Sequence, residues 1–186
     1  MNRSIGAQEE QVSKENERRS TIIDFLEVLV IAAVLAAIIR LFLFTPFYIP
    51  SSSMEPALEP GDRIIVNKIL YHFAVPQRGD IVVFRYPVDP SRDFVKRIIG
   101  LPGETVEVRN SRVYINGRPL EESYLPSQLS YPNYGPIRVP QGSFFVMGDN
   151  RPDSDDSRVW GCLPDRYLIG KAVLIFWPLD RLRWLH

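Results

Sequence analysis

Asp93-Phe94-Val95-Lys96-Arg97-Ile98-Ile99-Gly100-Leu101-Pro102-Gly103 is the stretch on which the fold class turns. Apolar and β-branched residues dominate up to Ile99, and Gly100-Leu101-Pro102-Gly103 then closes the run with turn residues. The spacing predicts a strand rather than a helix. Alternate residues of a strand share a face, so Phe94, Lys96 and Ile98 point the same way. A lysine between two large apolar side chains is partly desolvated, which disfavours the ammonium and lowers its pKa. A shift from ~10.4 towards 8 corresponds to roughly 3 kcal/mol. Such a lysine can act as a general base. The plainer alternative is a stem packed on the sheet with its charged head in water.

Working outward, the same punctuation recurs. Downstream, Glu104 to Arg109 and Arg112 to Ile115 alternate apolar with polar residues. Asn110-Ser111 can turn between them, and Asn116-Gly117 is a strong hairpin signal. Ser123 to Pro140 is rich in Tyr and Pro and reads as irregular, while Ser143 to Met147 and Ile169 to Trp177 read as apolar strands. Pro178 ends the last of them. Upstream, Pro60-Gly61-Asp62 turns into a strand from Arg63 to Ile69, and Arg78-Gly79-Asp80 turns into Ile81-Val82-Val83-Phe84. Gly-Asp before an apolar run is ordinary turn chemistry, so Arg78-Gly79-Asp80 is read as a turn and not as an adhesion motif. This region is all-β with irregular loops, and sixteen prolines argue against a helical bundle.

The N-terminal part is of another kind. Residues 1–20 are polar and of mixed charge, and read as a tail on the cytoplasmic side. Residues 21–45 read as a single transmembrane anchor: Val28 to Ile39 carries no charge, and Phe25 to Phe47 is long enough to span a bilayer. Arg40 lies near one end, where its side chain can snorkel. Arg18 and Arg19 put the N-terminus inside. A cleaved signal peptide would have a shorter apolar core followed by a small-x-small site, and Leu41 to Tyr48 is bulky throughout. Residues 46–186 then form an exported β-rich domain.

Composition excludes several classes. The 22 basic and 22 acidic residues cancel, which does not suit a nucleic-acid binder. Cys162 is the single cysteine, so no intramolecular disulfide forms, and the two histidines, His72 and His186, are too few for the usual zinc site. No metal or cofactor is expected. His72 is left as the histidine that could serve as a base.

Two further stretches carry candidate chemistry. Tyr48-Ile49-Pro50-Ser51-Ser52-Ser53-Met54-Glu55-Pro56-Ala57-Leu58 directly follows the apolar run. Its prolines fix their own φ and bias the residues before them away from the α region, so a rigid extended loop is expected. A hydroxyl held at the edge of an apolar surface is a plausible nucleophile if a base reaches it; the alternative is a plain Ser/Pro linker. The second stretch, Gly148 to Gly161, is polar and turn-forming between two apolar strands. Asp156 and Arg158 are spaced to order it by a salt bridge, or it is a plain surface loop.

Together these stretches resemble a known family. Ser53-Met54-Glu55-Pro56 after a membrane segment, Gly61-Asp62, Lys96-Arg97 with Gly100-Leu101-Pro102-Gly103, and Gly148-Asp149-Asn150-Arg151 with Asp156-Ser157-Arg158 occur in one order. That order is similar to bacterial type I signal peptidase, the serine/lysine leader peptidases, from about residue 20 onward. The resemblance implies a mainly antiparallel β catalytic domain on the outer face of the cytoplasmic membrane, held by one N-terminal transmembrane helix. It implies Ser53 as nucleophile and Lys96 as general base. Ser51 and the backbone N–H of Ser53 would form the oxyanion hole, and Ser154 would hydrogen-bond and orient the lysine amine. Asp149 with Arg97, and Asp156 with Arg158, would be supporting ion pairs. The substrates would be signal peptides of secretory preproteins, with small residues at the first and third positions before the cut, met near the translocon. Ile49, Met54 and Val95 are the candidates for lining shallow pockets that exclude large side chains. One departure is visible: Pro152 and Asp153 follow Arg151, where the family often has Asp and Asn.

Other readings stay open at this level. A self-cleaving repressor-type peptidase would share the chemistry but would need a DNA-binding segment. A non-catalytic, membrane-anchored β domain could bind envelope proteins. A cysteine hydrolase would use Cys162 and His72, although Cys162 beside Trp160 and Gly161 is as easily a buried small hydrophobe. Lys68 and Lys171 also lie on strand-like stretches, so periodicity does not single out Lys96.

Overall fold

A computed structural model describes residues 25–36 and 44–185, and the chain divides into two units, Met1–Phe42 and Leu43–His186, each taken by itself. In the first unit, residues 25–36 form a helix, α1. Its large apolar side chains, from Phe25 to Leu35, are 52% to 66% exposed. Among the described residues no helix is long and apolar enough to cross a membrane. The expected span over residues 21–45 falls partly, and the expected tail over residues 1–20 wholly, outside the described residues.

The second unit is mainly antiparallel β. Its strands in chain order are β1 (Phe44–Tyr48), β2 (Arg63–Asn67), β3 (Ile81–Arg85), β4 (Asp93–Gly100), β5 (Thr105–Arg109) and β6 (Arg112–Ile115). They continue with β7 (Arg118–Pro119), β8 (Tyr134–Arg138), β9 (Ser143–Met147), β10 (Leu163–Pro164), β11 (Leu168–Trp177) and β12 (Arg183–Trp184). The larger sheet runs β1-β2-β11-β3-β4-β9-β10 with β12 on β11, and the smaller runs β7-β6-β5-β8. Two one-turn helices, α2 (Leu70–Phe73) and α3 (Ser157–Trp160), interrupt the strands.

The apolar runs are continuous where both faces of a strand are buried. In β3, Ile81 and Val83 enter one core cluster with Ile49, Met54 and Leu58, while Val82 and Phe84 enter another with Ile98 and Val146. Burial of each such side chain contributes about 1.5–3 kcal/mol. The smaller sheet covers a third cluster, in which Val106, Val108 and Val113 pack on Ile99, Phe145 and Met147. The two sheets approach closely at Gly100, where a Cβ would lie 2.5 Å from Val106 Cγ2 and 2.9 Å from Phe145 Cβ.

Four sequence expectations change. The strand expected from Arg63 to Ile69 ends at Asn67, because the Asn67 side chain accepts the N–H groups of Ile69 and Leu70 at 3.0 Å and opens α2. Thr45 to Phe47, the end of the apolar run, belong to β1 and pair with β2. The stretch expected to be irregular contains β8, which pairs with β5. The serine loop is extended at Ser51 and at Glu55, but Ser52–Met54 forms a 3-10 turn closed by Glu55 N–H on Ser52 O at 3.0 Å.

Candidate active site

The turn at Ser52–Met54 points a hydroxyl at β4. Lys96 Nζ lies 2.7 Å from Ser53 Oγ, across 43 residues of sequence. Ser51 Oγ lies 3.3 Å from the same Ser53 oxygen. Lys96 is only 4% exposed. Its pKa falls from 10.5 to about 8, mainly because burial removes water from the ammonium; Asp156, Asp155 and Asp149 oppose the fall and Arg158 adds to it. The face expected from the strand period is present: Phe94 and Ile98 both pack with the cluster beneath β4, and Lys96 Nζ sits 5.5 Å from the Phe94 ring centre. Phe94 in turn stacks on Tyr86 at 4.4 Å, which fixes the ring under the amine.

The other candidate bases are placed differently. Lys171 is held by Asp80 at 2.6 Å. Lys68 is half-buried just after β2 and lies outside the residues that line the cleft. His72 is exposed on α2, whereas Cys162 packs against the cluster under the smaller sheet, where burial pushes its thiol pKa up. A raised thiol pKa is the opposite of what a cysteine nucleophile needs.

Ser53 and Lys96 sit in a cleft of about 440 Å³. Ile49, Met54 and Val95, the three pocket residues expected from sequence, all line it, together with Phe47, Val83 and Phe94. Asp153 and Asp155 also line it, and the charge of Asp155 acts on the lysine. One strand edge faces this space. β4 pairs with β3 from Asp93 to Arg97, but its register with β9 begins only at Arg97. Among the described residues, Asp93 to Val95 thus have no strand on their second side.

The loop from Gly148 to Asp156 backs the nucleophile turn. Asn150 N–H donates to Ser53 O at 3.1 Å and its side-chain amide to Ser52 O at 3.2 Å. Gly148 packs against the Ser53 carbonyl and the Ser154 side chain so closely that a Cβ there would overlap both. Two ion pairs expected from sequence are present. Arg97 and Asp149 form a buried bidentate pair, at 2.9 Å and 2.6 Å. Arg158 holds Asp156 at 2.8 Å and 2.7 Å, and Asp156 Oδ2 also accepts Gly148 N–H at 3.0 Å. Pro152 lies in a turn closed by Asp153 N–H on Asn150 O at 3.0 Å, so the departure at this position leaves the loop seated.

One expectation is corrected. The hydrogen bond expected from Ser154 to the lysine amine is not formed: among the described residues Ser154 Oγ is buried without a hydrogen-bond partner, packed beside Gly148. Sequence reading gave Arg151 as part of a motif but assigned it no role; it is 1% exposed and is held by Glu122 at 3.0 Å, 29 residues away. No local period links these two, so no sequence signal marks the pair. Asn150 did carry a signal, as a polar residue in a turn-forming loop, but its partners are not predictable from spacing.

Comparison with known proteins places the chain. Residues 22–177 match the family described as signal peptidase, peptidase S26. Over 171 residues the chain is 50% identical to a signal peptidase I of Leptolyngbya laminosa, covering 88% of this chain and 83% of that protein. It is 49% identical over 163 residues to the probable signal peptidase I-1 of a Synechocystis strain, covering 84% and 83%. It is 39% identical over 180 residues to signal peptidase I P of Bacillus subtilis subsp. natto, covering 91% and 97%. A match over most of the chain, with a mainly antiparallel β domain, shows that the chain belongs to the signal peptidase family, peptidase S26, and is a hydrolase of that family.

Proposed function

We propose that the protein is a membrane-anchored serine endopeptidase that removes signal peptides from secretory preproteins with a Ser53/Lys96 dyad. The observation that carries this reading is the 2.7 Å approach of a buried lysine amine to a serine hydroxyl. A seryl hydroxyl is a poor nucleophile without a base, and a lysine with a pKa of about 8 is neutral often enough to serve. Neutral Lys96 takes the Ser53 proton as the oxygen attacks the scissile carbonyl. The Ser51 hydroxyl and the Ser53 N–H donate to the oxyanion. Protonated Lys96 then gives its proton to the leaving amine, and a water activated by the same amine hydrolyses the acyl-enzyme.

The open edge of β4 at Asp93–Val95 suits an extended substrate, which would pair its backbone there. Ile49, Met54 and Val95 would bound the side-chain sites. A pocket of this kind admits a methyl group and rejects bulk by overlap. The anchor is proposed over residues 21–45, with the tail inside and residues 46–186 outside the cytoplasmic membrane, in contact with the bilayer and near the translocon. Helix α1, exposed and apolar apart from Glu27 near its start, supports that placement.

The test is cleavage of a preprotein by detergent-solubilised wild type, Ser53→Ala, Ser52→Ala and Lys96→Ala. Ser53→Ala and Lys96→Ala should be inactive and Ser52→Ala active. Activity in Ser53→Ala with loss in Ser52→Ala would move the nucleophile by one residue. Absence of all hydrolysis in the wild type would favour a non-catalytic anchored domain.

A further inference from the structure

Ser53 sits in a closed loop whose two ends meet at a backbone pair. Ile49 N–H donates to Asp62 O, and Gly61 N–H donates back to Ile49 O, both at 2.9 Å. The outgoing limb, with Ser51 to Ser53, is backed by Asn150 as described above. The return limb, Glu55 to Gly61, is held from the far end of the chain. Arg181, in a one-turn segment Leu179–Arg181, grips Asp62 with both arms of its fork, Nε on Oδ1 at 2.8 Å and Nη2 on Oδ2 at 3.0 Å. Its third nitrogen, Nη1, pairs with Glu59. Arg183, at the start of β12, donates to the carbonyls of Ala57 and Pro56.

This clamp has two features of a built device. Asp62 is 1% exposed, and its Oδ2 also accepts Glu59 N–H at 2.9 Å. A buried carboxylate is costly unless it is paired, and a planar guanidinium is the partner that matches it in two places. The segment that carries the arginines is itself fastened to the larger sheet. β12 pairs with β11, Leu185 N–H donates to Val173 O at 2.9 Å, and the Leu185 side chain enters the core cluster that holds Ile49, Met54 and Leu58.

We infer that Arg181 is a positioning residue for the nucleophile. Through Asp62 and Glu59 it fixes the base of the loop that presents Ser53 to Lys96, and Arg183 fastens the return limb. Arg181 does not line the cleft, so it acts through the loop and not on substrate. The inference rests on the reading of Ser53 as nucleophile. General-base transfer depends on that oxygen staying within hydrogen-bond reach of the amine, and a displacement of about 1 Å can lower the rate on the order of 100-fold.

The experiment uses the detergent-solubilised full chain and one preprotein substrate. Arg181→Met is expected to lower kcat by about tenfold or more, with KM within about twofold and the acidic limb of the pH–rate profile unmoved, because the charges that act on Lys96, those of Asp156, Asp155, Asp149 and Arg158, lie outside the clamped loop. Arg181→Lys should recover part of the loss. Arg181→Met leaves Asp62 buried and unpaired, so the double variant Asp62→Asn/Arg181→Met, which removes both charges, separates position from stability. Its melting temperature should return towards wild type while kcat stays low. Near wild-type kcat in the double variant, or losses that only track the unfolded fraction, would overturn the inference. Ser53→Ala runs alongside: cleavage there would refute the nucleophile assignment, whereas an inactive Ser53→Ala with a fully active Arg181→Met would refute the clamp alone.

Discussion

A lysine amine 2.7 Å from a serine hydroxyl is useful as a base only while it is neutral. With a pKa of about 8, Lys96 should give a kcat/KM that rises with pH through an apparent pKa near that value. Two substitutions should move this limb in opposite directions. Phe94→Asp admits water and adds negative charge, both of which favour the ammonium, so the limb moves to higher pH. Asp155→Asn removes a carboxylate that raises the lysine pKa, so the limb moves to lower pH. Lys96→Arg should be inactive, since a guanidinium does not give up its proton near neutrality; an active Lys96→Arg would reduce Lys96 to a supplier of charge. The same burial costs stability. The folded-state pKa lies below the ordinary 10.5, so the penalty is fully present below about pH 8 and fades as pH rises towards 10.5. It amounts to about 3 kcal/mol, less about 1 kcal/mol for the hydrogen bond to Ser53. Lys96→Met should therefore raise stability to urea at pH 6 and lose that advantage at pH 10. Equal stability at both values would show that the amine is not desolvated.

At the scale of elements, the site is a junction of one strand and two loops. β4 supplies Lys96 and, on its other face, Arg97, whose side chain is 4% exposed and pairs with an Asp149 side chain that is 0% exposed. Asp149→Ala takes away the carboxylate that the buried Arg97 guanidinium engages in two hydrogen bonds, and a loss of about 3–5 kcal/mol in unfolding free energy is expected. Gly148 faces the Ser53 carbonyl with no room for a Cβ, which would lie 2.4 Å from that oxygen. Gly148→Ala must push them apart, so kcat should fall about tenfold or more, while circular dichroism still reports the β domain. Unchanged kcat in Gly148→Ala would show that the nucleophile turn tolerates displacement.

For the whole molecule, the two units make different demands on their surroundings. Helix α1 exposes apolar side chains on all sides, whereas the β domain buries three apolar clusters of its own. The proposed topology, tail inside and β domain outside, rests on Arg18 and Arg19 flanking the apolar run. Protease added to spheroplasts should digest the β domain and spare the N-terminal tail, and the reverse pattern would remove the outer-face assignment.

What the chain states locally, sequence alone determined. Alternation marked β5 and β6, two-sided apolar runs marked β3 and β9, and Asn116-Gly117 marked the hairpin, with positive φ at both residues. β1 escaped because its residues continue the apolar run, and β8 because it lies in a stretch rich in Tyr and Pro; Pro46 and Pro136 sit inside them. Both strands are sheet edges, where a missing N–H costs no ladder bond and proline is tolerated. The motifs singled out Ser53 and Lys96 by resemblance, but the strand period left Lys68 and Lys171 equally open. Tertiary structure separated the three by pairing Lys171 with Asp80, leaving Lys68 off the cleft and burying Lys96 against Ser53. It also joined Glu122 to Arg151 and Asp62 to Arg181 across 29 and 119 residues. Helical and strand periods record which face of an element is buried, but not which distant side chain will meet it there. That meeting is decided only when the sheets close, because desolvation and ion pairing depend on what surrounds a group in space.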